Sequence, residues 1–210
     1  MGSALGRVTE EQPSYEAIAQ RSSEYEVRRY DACCVIETTY ESARGMIRGD
    51  QGGSFMRLAR YIGVLSTPAN EASMKIAMTA PVFMAPREED ESGRYVMQFV
   101  LPKSKFPLGA AQAPKAKETD VAVKDVPVRY MAVRRFSGRM NEEAVSEEMR
   151  KLRAALKADG VALARGDATP TQYAGYNPPW TPGPMRTNEV LVEIDPKTIL
   201  TTNVVASATG

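Results

Sequence analysis

The side chains that could do chemistry in this chain are carboxylates, thiols and phenols, because its 210 residues contain no histidine. The usual general base near neutral pH is therefore missing. Glu37 and Glu41 lie four residues apart near the end of one strand-like segment, and Glu193 lies in another. Carboxylates can supply acid–base chemistry, but solvated surface charges explain these positions more simply. An enzyme stays an alternative hypothesis, and no catalytic residue is predicted.

The two cysteines, Cys33 and Cys34, are adjacent in an apolar segment. Neighbouring side chains of a strand point to opposite faces, and a disulfide between them would be strained. We expect two free, buried thiols, as is typical of a reducing compartment. The N-terminal residues lack an apolar signal segment and are too acidic for a typical transit peptide. We therefore expect a cytoplasmic protein.

Composition excludes several classes of partner. Lys and Arg number 27 against 26 Asp and Glu, and no basic stripe is present, so nucleic acid is not expected as a partner. No run of about 18 apolar residues exists, so no membrane span is predicted. With 43% apolar residues the chain can form a proper core. A soluble monomer is the expected state.

Five segments have the composition of β-strands, since they are rich in β-branched and aromatic residues. They are Tyr25 to Tyr40, Met74 to Met84, Tyr95 to Leu101, Val121 to Phe136 and Asn188 to Ile194. Within the second of these, Pro81 removes a backbone donor, so we expect a bend there.

Two segments have helical periodicity. In the first, Phe55, Leu58, Ala59 and Ile62 recur between a break at Gly49 to Gly53 and a stop at Gly63. In the second, Glu142 to Leu156, the apolar positions are Val145, Met149, Leu152 and Leu156.

The order of elements predicts a β-α-β-β unit that occurs twice, over about 25–102 and 121–196. Matching landmarks are similarly spaced: Tyr40 and Phe136 are 96 residues apart by subtraction, and Pro102 and Pro196 are 94 apart. The linker 103–120 is rich in Ala, Pro and Lys, which favours exposure rather than packing.

Four segments resemble, in order, the SOUL haem-binding family. They are YEVRRY (25–30), YIG (61–63), KIAMTAPV (75–82) and AGYNPPWTPGPMRTNEVLVEI (174–194), the last with YxPP and RxNEV elements. The resemblance implies an α+β fold similar to bacterial effector-binding domains: a distorted antiparallel β-barrel flanked by two main helices. It also implies an N-terminal extension (1–24), a single SOUL-like domain (25–200) and a C-terminal tail (201–210).

The resemblance further implies reversible, non-covalent binding of haem or protoporphyrin IX against the first helix. A porphyrin needs an apolar cleft with cations at its rim. The ligand-binding residues implied by position are Phe55, Met56, Arg57, Ala59, Arg60, Tyr173 and Tyr176. The two arginines would pair with the propionates. Packing of the helix on a sheet, and of the two tyrosines under a loop, is the alternative explanation of the same residues.

Without histidine, thiolate and tyrosinate are the strong remaining ligands for ferric haem. The cysteines lie in a strand away from the expected cleft, so we expect no metal ligand from the protein and a role as tetrapyrrole carrier or buffer. Tetrapyrrole-handling enzymes would be its partners. The alternatives are an effector-binding domain, a hydrolase of the same superfamily, or a protein-interaction module that docks through the charged face of Glu142 to Leu156.

Overall fold

The computed structural model describes residues 8–21, 24–64, 66–87 and 93–199; the expected C-terminal tail lies outside them. The two main helices of the described part are α1 (Gln51–Ile62) and α2 (Glu142–Ala158), with short 3-10 turns at Met46–Arg48, Gly109–Gln112 and Gly183–Met185 and one helical turn at 196–199. Its strands are β1 (Tyr15–Arg21), β2 (Tyr25–Tyr30), β3 (Cys33–Glu41), β4 (Val82–Pro86), β5 (Arg94–Val100), β6 (Ala122–Val126), β7 (Arg129–Phe136), β8 (Ala164–Asp167), β9 (Thr171–Gly175) and β10 (Asn188–Glu193).

The strand order confirms the duplicated unit. One antiparallel sheet runs β1-β2-β7-β10-β9-β4-β5-β3-β6. With β1 set aside, this order is symmetric about the β9–β4 pair, since β7 corresponds to β3, β10 to β5 and β2 to β6. The two helices occupy corresponding places, because α1 follows β3 and α2 follows β7.

Short connections force the sheet to curl. Asp31 and Ala32 alone join β2, second in the sheet, to β3, which is eighth; Pro127 and Val128 join β6, which is ninth, to β7, which is third. In a flat sheet these strands would lie roughly 30 Å apart, because neighbours are spaced by about 4.8 Å. Two residues cannot span that distance. The sheet therefore curls back on itself, which gives the distorted barrel expected from the sequence.

The curled sheet has two buried faces. On the outer face α1 packs against β3 and β5, and α2 packs against β7 and β10. The inner face carries no helix, yet apolar side chains from seven strands are buried against one another there. They are Tyr30, Val35, Phe83, Val100, Met131, Val133, Ala174 and Leu191.

Capping residues mark both ends of α1 and the start of α2. The Asp50 side chain accepts a hydrogen bond from the Gly53 amide, and Gly63 ends α1 in the left-handed conformation with φ 74. Asn141 caps α2 by accepting from the Ala144 amide. The predicted break thus ends at Gly49, and Gly52 and Gly53 lie inside α1.

Two predicted long strands are wrong as single elements. Tyr25 to Tyr40 divides at Asp31, whose carboxylate accepts from Arg29 and Lys103, and Val121 to Phe136 divides at Pro127. Each half of the divided segment pairs with a different part of the sheet, so strand propensity alone cannot locate the turn. The sequence analysis also missed β1, which lies within the predicted N-terminal extension and pairs with β2.

The predicted strand from Met74 to Met84 is also wrong over most of its length. Only the segment from Val82 onward joins the sheet, and the Ala80–Pro81 peptide bond before it is cis. Tertiary hydrogen bonds hold the rest: the Ile76 amide donates to Ile62 and the Thr79 hydroxyl to Val100. The motif is therefore a shaped connection between α1 and β4, and the expected bend is confirmed.

The linker 103–120 is packed, contrary to expectation. Phe106 is buried, and Ala110, Ala113 and Ala116 contact the core. The Tyr61 hydroxyl of α1 donates to the Pro114 carbonyl at 2.6 Å. Small alanine side chains let this segment lie close against α1, which composition did not indicate.

A buried ion pair lies on the inner face of the sheet. The Arg28 guanidinium donates two hydrogen bonds to Glu189, at 2.9 and 3.0 Å, although the two side chains are only 2% and 0% exposed. The hydroxyl of Tyr30 accepts from Arg28 and that of Tyr176 donates to Glu189. Burial raises the pKa of Tyr30 to about 12, so this cluster, which we call the Arg28 cluster, keeps a neutral phenol beside the charges.

Glu189→Gln removes the buried one of the two carboxylates that pair with Arg28, the other being the more exposed Glu26, and we expect a loss of about 3 kcal/mol in the free energy of unfolding. Glu147→Gln breaks the exposed pair with Arg150 and is the control, with an expected loss below about 1 kcal/mol. Urea denaturation measures both. Equal losses would contradict a structural role for the buried pair.

Candidate functional site

The exposed part of α1 combines apolar and cationic side chains, as the sequence predicted. Phe55 and Met56 are 36% and 39% exposed, and the Phe55 ring packs edge-on against Phe99 with centroids 5.1 Å apart. Arg57 directly follows Met56 on the same helix, and Arg60 lies about one turn after Met56. We call these four residues the α1 surface.

Arg57 is already engaged by its surroundings. Its Nε donates to the Thr38 hydroxyl at 3.1 Å and its Nη2 to the Ser54 hydroxyl at 3.0 Å. It also pairs with Asp120 at 3.2 Å. Arg57 is therefore held against the sheet and the linker.

Arg60 forms a two-pronged pair with a carboxylate of the linker. Its Nε and Nη2 donate to Glu118 at 2.8 and 3.2 Å. This hydrogen bonding lowers the pKa of Glu118 and raises that of Arg60, so both stay charged. An incoming carboxylate must compete with Glu118 for the guanidinium.

The other predicted ligand contacts lie elsewhere. Ala59 lies on the buried face of α1, and Tyr173 is fully buried in the core on the outer face of the sheet. Tyr176 is half-buried and belongs to the Arg28 cluster. Phe55, Met56, Arg57 and Arg60 thus share α1, with Phe55 and Arg57 about 200° apart around its axis, whereas Tyr173 lies in β9 and Tyr176 directly after it.

The cysteines are free, as expected, and poor metal ligands. Cys34 is buried and Cys33 half-buried, and they point to opposite faces of the sheet. Burial raises the pKa of Cys34 to about 12 and also raises that of Cys33. Both stay protonated near neutral pH, whereas the thiolate is the form that binds metals.

Two of the three acidic residues considered as catalysts line one cavity. Glu37 and Glu193 lie in the wall of a pocket of about 800 Å³, mainly on the inner face, which we call the inner pocket. Glu37 is occupied, since it accepts from Gln98 at 2.8 Å and pairs with Lys124. Glu41 lies at the exposed end of β3. In the described part of the chain no three His, Cys, Asp or Glu residues are grouped to hold a metal ion.

The apolar stripe of α2 is used in packing. Val145, Leu152 and Leu156 are buried and Met149 contacts the same core. The exposed face carries the pair of Glu147 and Arg150. A docking role for α2 would therefore use charges alone.

The family model of the SOUL heme-binding protein matches residues 10–193. The chain belongs to the SOUL family. It is also 29% identical to human heme-binding protein 2 over 159 residues, covering 74% of this chain and 71% of the human protein.

Solved structures with little sequence identity share the fold of this SOUL protein. The C-terminal domain of EcmrR matches 86% of this chain and 98% of its own length, with a TM-score of 0.52 and 13% identity. A hydrolase from Listeria innocua matches 84% of this chain and 94% of its own, with a TM-score of 0.53 and 7% identity. At such identities the likeness shows the fold alone.

Three of the SOUL motifs meet in the Arg28 cluster, which sequence reasoning missed. Arg28 and Tyr30 belong to YEVRRY, Glu189 to RxNEV and Tyr176 to YxPP. The sequence signal was weak, because β2 (YEVRRY) holds two arginines and one glutamate and β10 (NEVLVE) holds two glutamates, and the pattern does not tell which of them are buried. Such charges are buried only when they are paired.

Searching the described residues for a helix that could cross a membrane found none.

We predict that the native thiols react with a disulfide reagent at about pH 8 at least about a hundredfold more slowly than in urea, where the thiol pKa returns to about 8.5. A raised folded pKa also means that the stability contribution is complete below the unfolded value and is lost as pH rises towards about 12. The Cys33→Ser variant isolates Cys34 for the rate measurement. Fast native labelling would show that Cys34 is an accessible thiolate.

Proposed function

We propose that this protein binds haem and other tetrapyrroles reversibly at the α1 surface, without a protein ligand to the iron, and acts as a carrier or buffer rather than an enzyme. The observation that carries the proposal is the pair of exposed side chains Phe55 and Met56 beside two arginines in a SOUL-family chain. The name of the human relative, a heme-binding protein, supports the same ligand class.

The mode of binding follows from the chemistry that the chain lacks. It has no histidine, and burial keeps both thiols protonated. Burial also raises the pKa of Tyr40, Tyr61 and Tyr173, so tyrosinate is disfavoured at these positions. The porphyrin face would contact Phe55 and Met56, while its propionates would pair with Arg57 and Arg60. Contact by Ala59, Tyr173 and Tyr176 stays a prediction.

Haem and metal-free protoporphyrin IX should bind with dissociation constants within about a factor of three, because an iron ligand worth 1.4 kcal/mol would already give about a factor of ten. Quenching of Trp180, the one tryptophan, measures both titrations. A hundredfold preference for haem would show that the iron is ligated, and a flat response to both would contradict tetrapyrrole binding.

The same titrations of a Met56→Asp variant test whether the ligand binds at the α1 surface. A carboxylate there repels the propionates and removes apolar contact, so both affinities should fall at least about tenfold. Leu108→Asp changes another exposed apolar residue and should leave both unchanged. Equal effects would move the ligand away from α1.

Glu118→Gln should strengthen haem binding about two- to fivefold, since it weakens the pair that competes for Arg60, and partly exposed pairs contribute up to about 1 kcal/mol. Glu147→Gln breaks a similar pair on α2 and is the matched control. Weaker binding by the Glu118 variant would mean that Glu118 positions Arg60 for the ligand.

A further inference from the structure

The inner pocket lies mainly on the inner face of the sheet, and its rim reaches Thr38 and Asp120, which contact Arg57 of α1. Strands of both halves line it, including β3, β5 and β6 of one side and β7, β9 and β10 of the other. On the β2 side the Arg28 cluster is next to the pocket, since Tyr30 lies opposite Arg129 and Arg28 opposite Met131. The pocket, of about 800 Å³, is in the size range of small-molecule sites.

Several charges of the pocket wall are already satisfied. Glu37 pairs with Lys124, and Asp120 with Arg57. Asp125 accepts a hydrogen bond from the Ala110 amide at 2.7 Å. These groups maintain the shape of the pocket.

Arg129 and Glu193 differ from these charged residues because neither forms an ion pair with a described residue. Arg129 forms no ion pair with a described residue; its Nη1 makes one long hydrogen bond to Gln172, at 3.4 Å, and its Nε is buried with no partner. Glu193 makes no side-chain hydrogen bond or ion pair with any residue that the structure describes. A buried donor without an acceptor is costly, so a ligand acceptor would be strongly favoured here.

The register of the sheet places these two groups side by side. Glu193 lies opposite Met131 across the β7–β10 ladder, and Arg129 is two residues before Met131 on the same face. Such diagonal neighbours have Cα atoms about 7–8 Å apart. One ligand can therefore contact both, if it brings a carboxylate to Arg129 and an N–H donor to Glu193.

The rest of the wall limits the ligand further. Met131, Val96 and Ala85 give the pocket apolar surface, and Arg87 at its rim is exposed with no described side-chain partner. A second carboxylate could pair with Arg87. Polar side chains make up most of the rest of the wall. The combination calls for a conjugated molecule with two acids and accessible N–H groups. A closed porphyrin directs its N–H groups into the ring centre, where Glu193 cannot reach them, whereas an open-chain tetrapyrrole exposes its pyrrole N–H groups and can bend.

We propose that the inner pocket binds an open-chain tetrapyrrole, with one propionate on Arg129 and a pyrrole N–H on Glu193. The choice of this ligand class rests on the tetrapyrrole function proposed above, but Arg129 and Glu193 lie on the sheet and not on α1.

Biliverdin, followed by its absorbance and induced circular dichroism, is the probe. The wild-type protein should bind it, Arg129→Gln should lose at least about tenfold in affinity, and Arg129→Lys should recover part of the loss. Biliverdin dimethyl ester should bind weakly and equally to the wild type and Arg129→Gln. Arg150→Gln, which removes an exposed arginine on α2, should bind biliverdin normally.

Haem titration of the same variants separates the two sites. Arg129→Gln should bind haem like the wild type, which also shows that it is folded, and Met56→Asp should bind biliverdin normally. The inner-pocket proposal is overturned if biliverdin does not bind, if Arg129→Gln binds it unchanged, or if Met56→Asp weakens haem and biliverdin alike. Biliverdin binding without haem binding would instead overturn the α1 proposal alone.

Discussion

The buried pair of Arg28 and Glu189 is the interaction on which the rest of this fold depends. An unpaired buried charge costs several kcal/mol, and here Arg28 pairs with Glu189 and Glu26 while Glu189 also pairs with Arg135. The Arg28–Glu189 pair connects β2 with β10 across β7, and so joins the start of one repeat to the last strand of the other. Tyr30 and Tyr176 complete its hydrogen bonding.

Pairing of charges also distinguishes the two surfaces that could hold a ligand. At α1 the packed linker supplies Glu118 and Asp120, so Arg60 and Arg57 are neutralised before any ligand arrives. Binding there exchanges one carboxylate for another and gains mainly from apolar contact with Phe55 and Met56. In the inner pocket no carboxylate of a described residue pairs with Arg129. The two surfaces therefore differ in whether a ligand acid would have to displace an existing partner.

Local patterns predicted the elements whose periodicity is independent of partners. The stripe of Val145, Met149, Leu152 and Leu156 located α2, and Gly63 located the end of α1. The doubled unit followed from element order, and the strand order confirms it. Local patterns did not predict boundaries that depend on which strands pair. The segment Tyr25 to Tyr40 is uniformly strand-like, yet it divides because β2 and β3 pair with different strands on opposite sides of the sheet. The KIAMTAPV segment is held by α1 and β5 rather than by a ladder.

The sequence by itself determined that the chain has no imidazole, that its halves repeat, and that apolar and basic side chains share the first helix; residue types and spacing are enough for each of these. Only the tertiary structure decided which charged side chains form ion pairs and which do not. Glu118 reaches Arg60 from 58 residues away and Glu189 reaches Arg28 from 161, while Arg129 and Glu193 stay apart on neighbouring strands. Such long-range pairing depends on how the sheet curls, and the curl results from connections that only the complete strand order reveals.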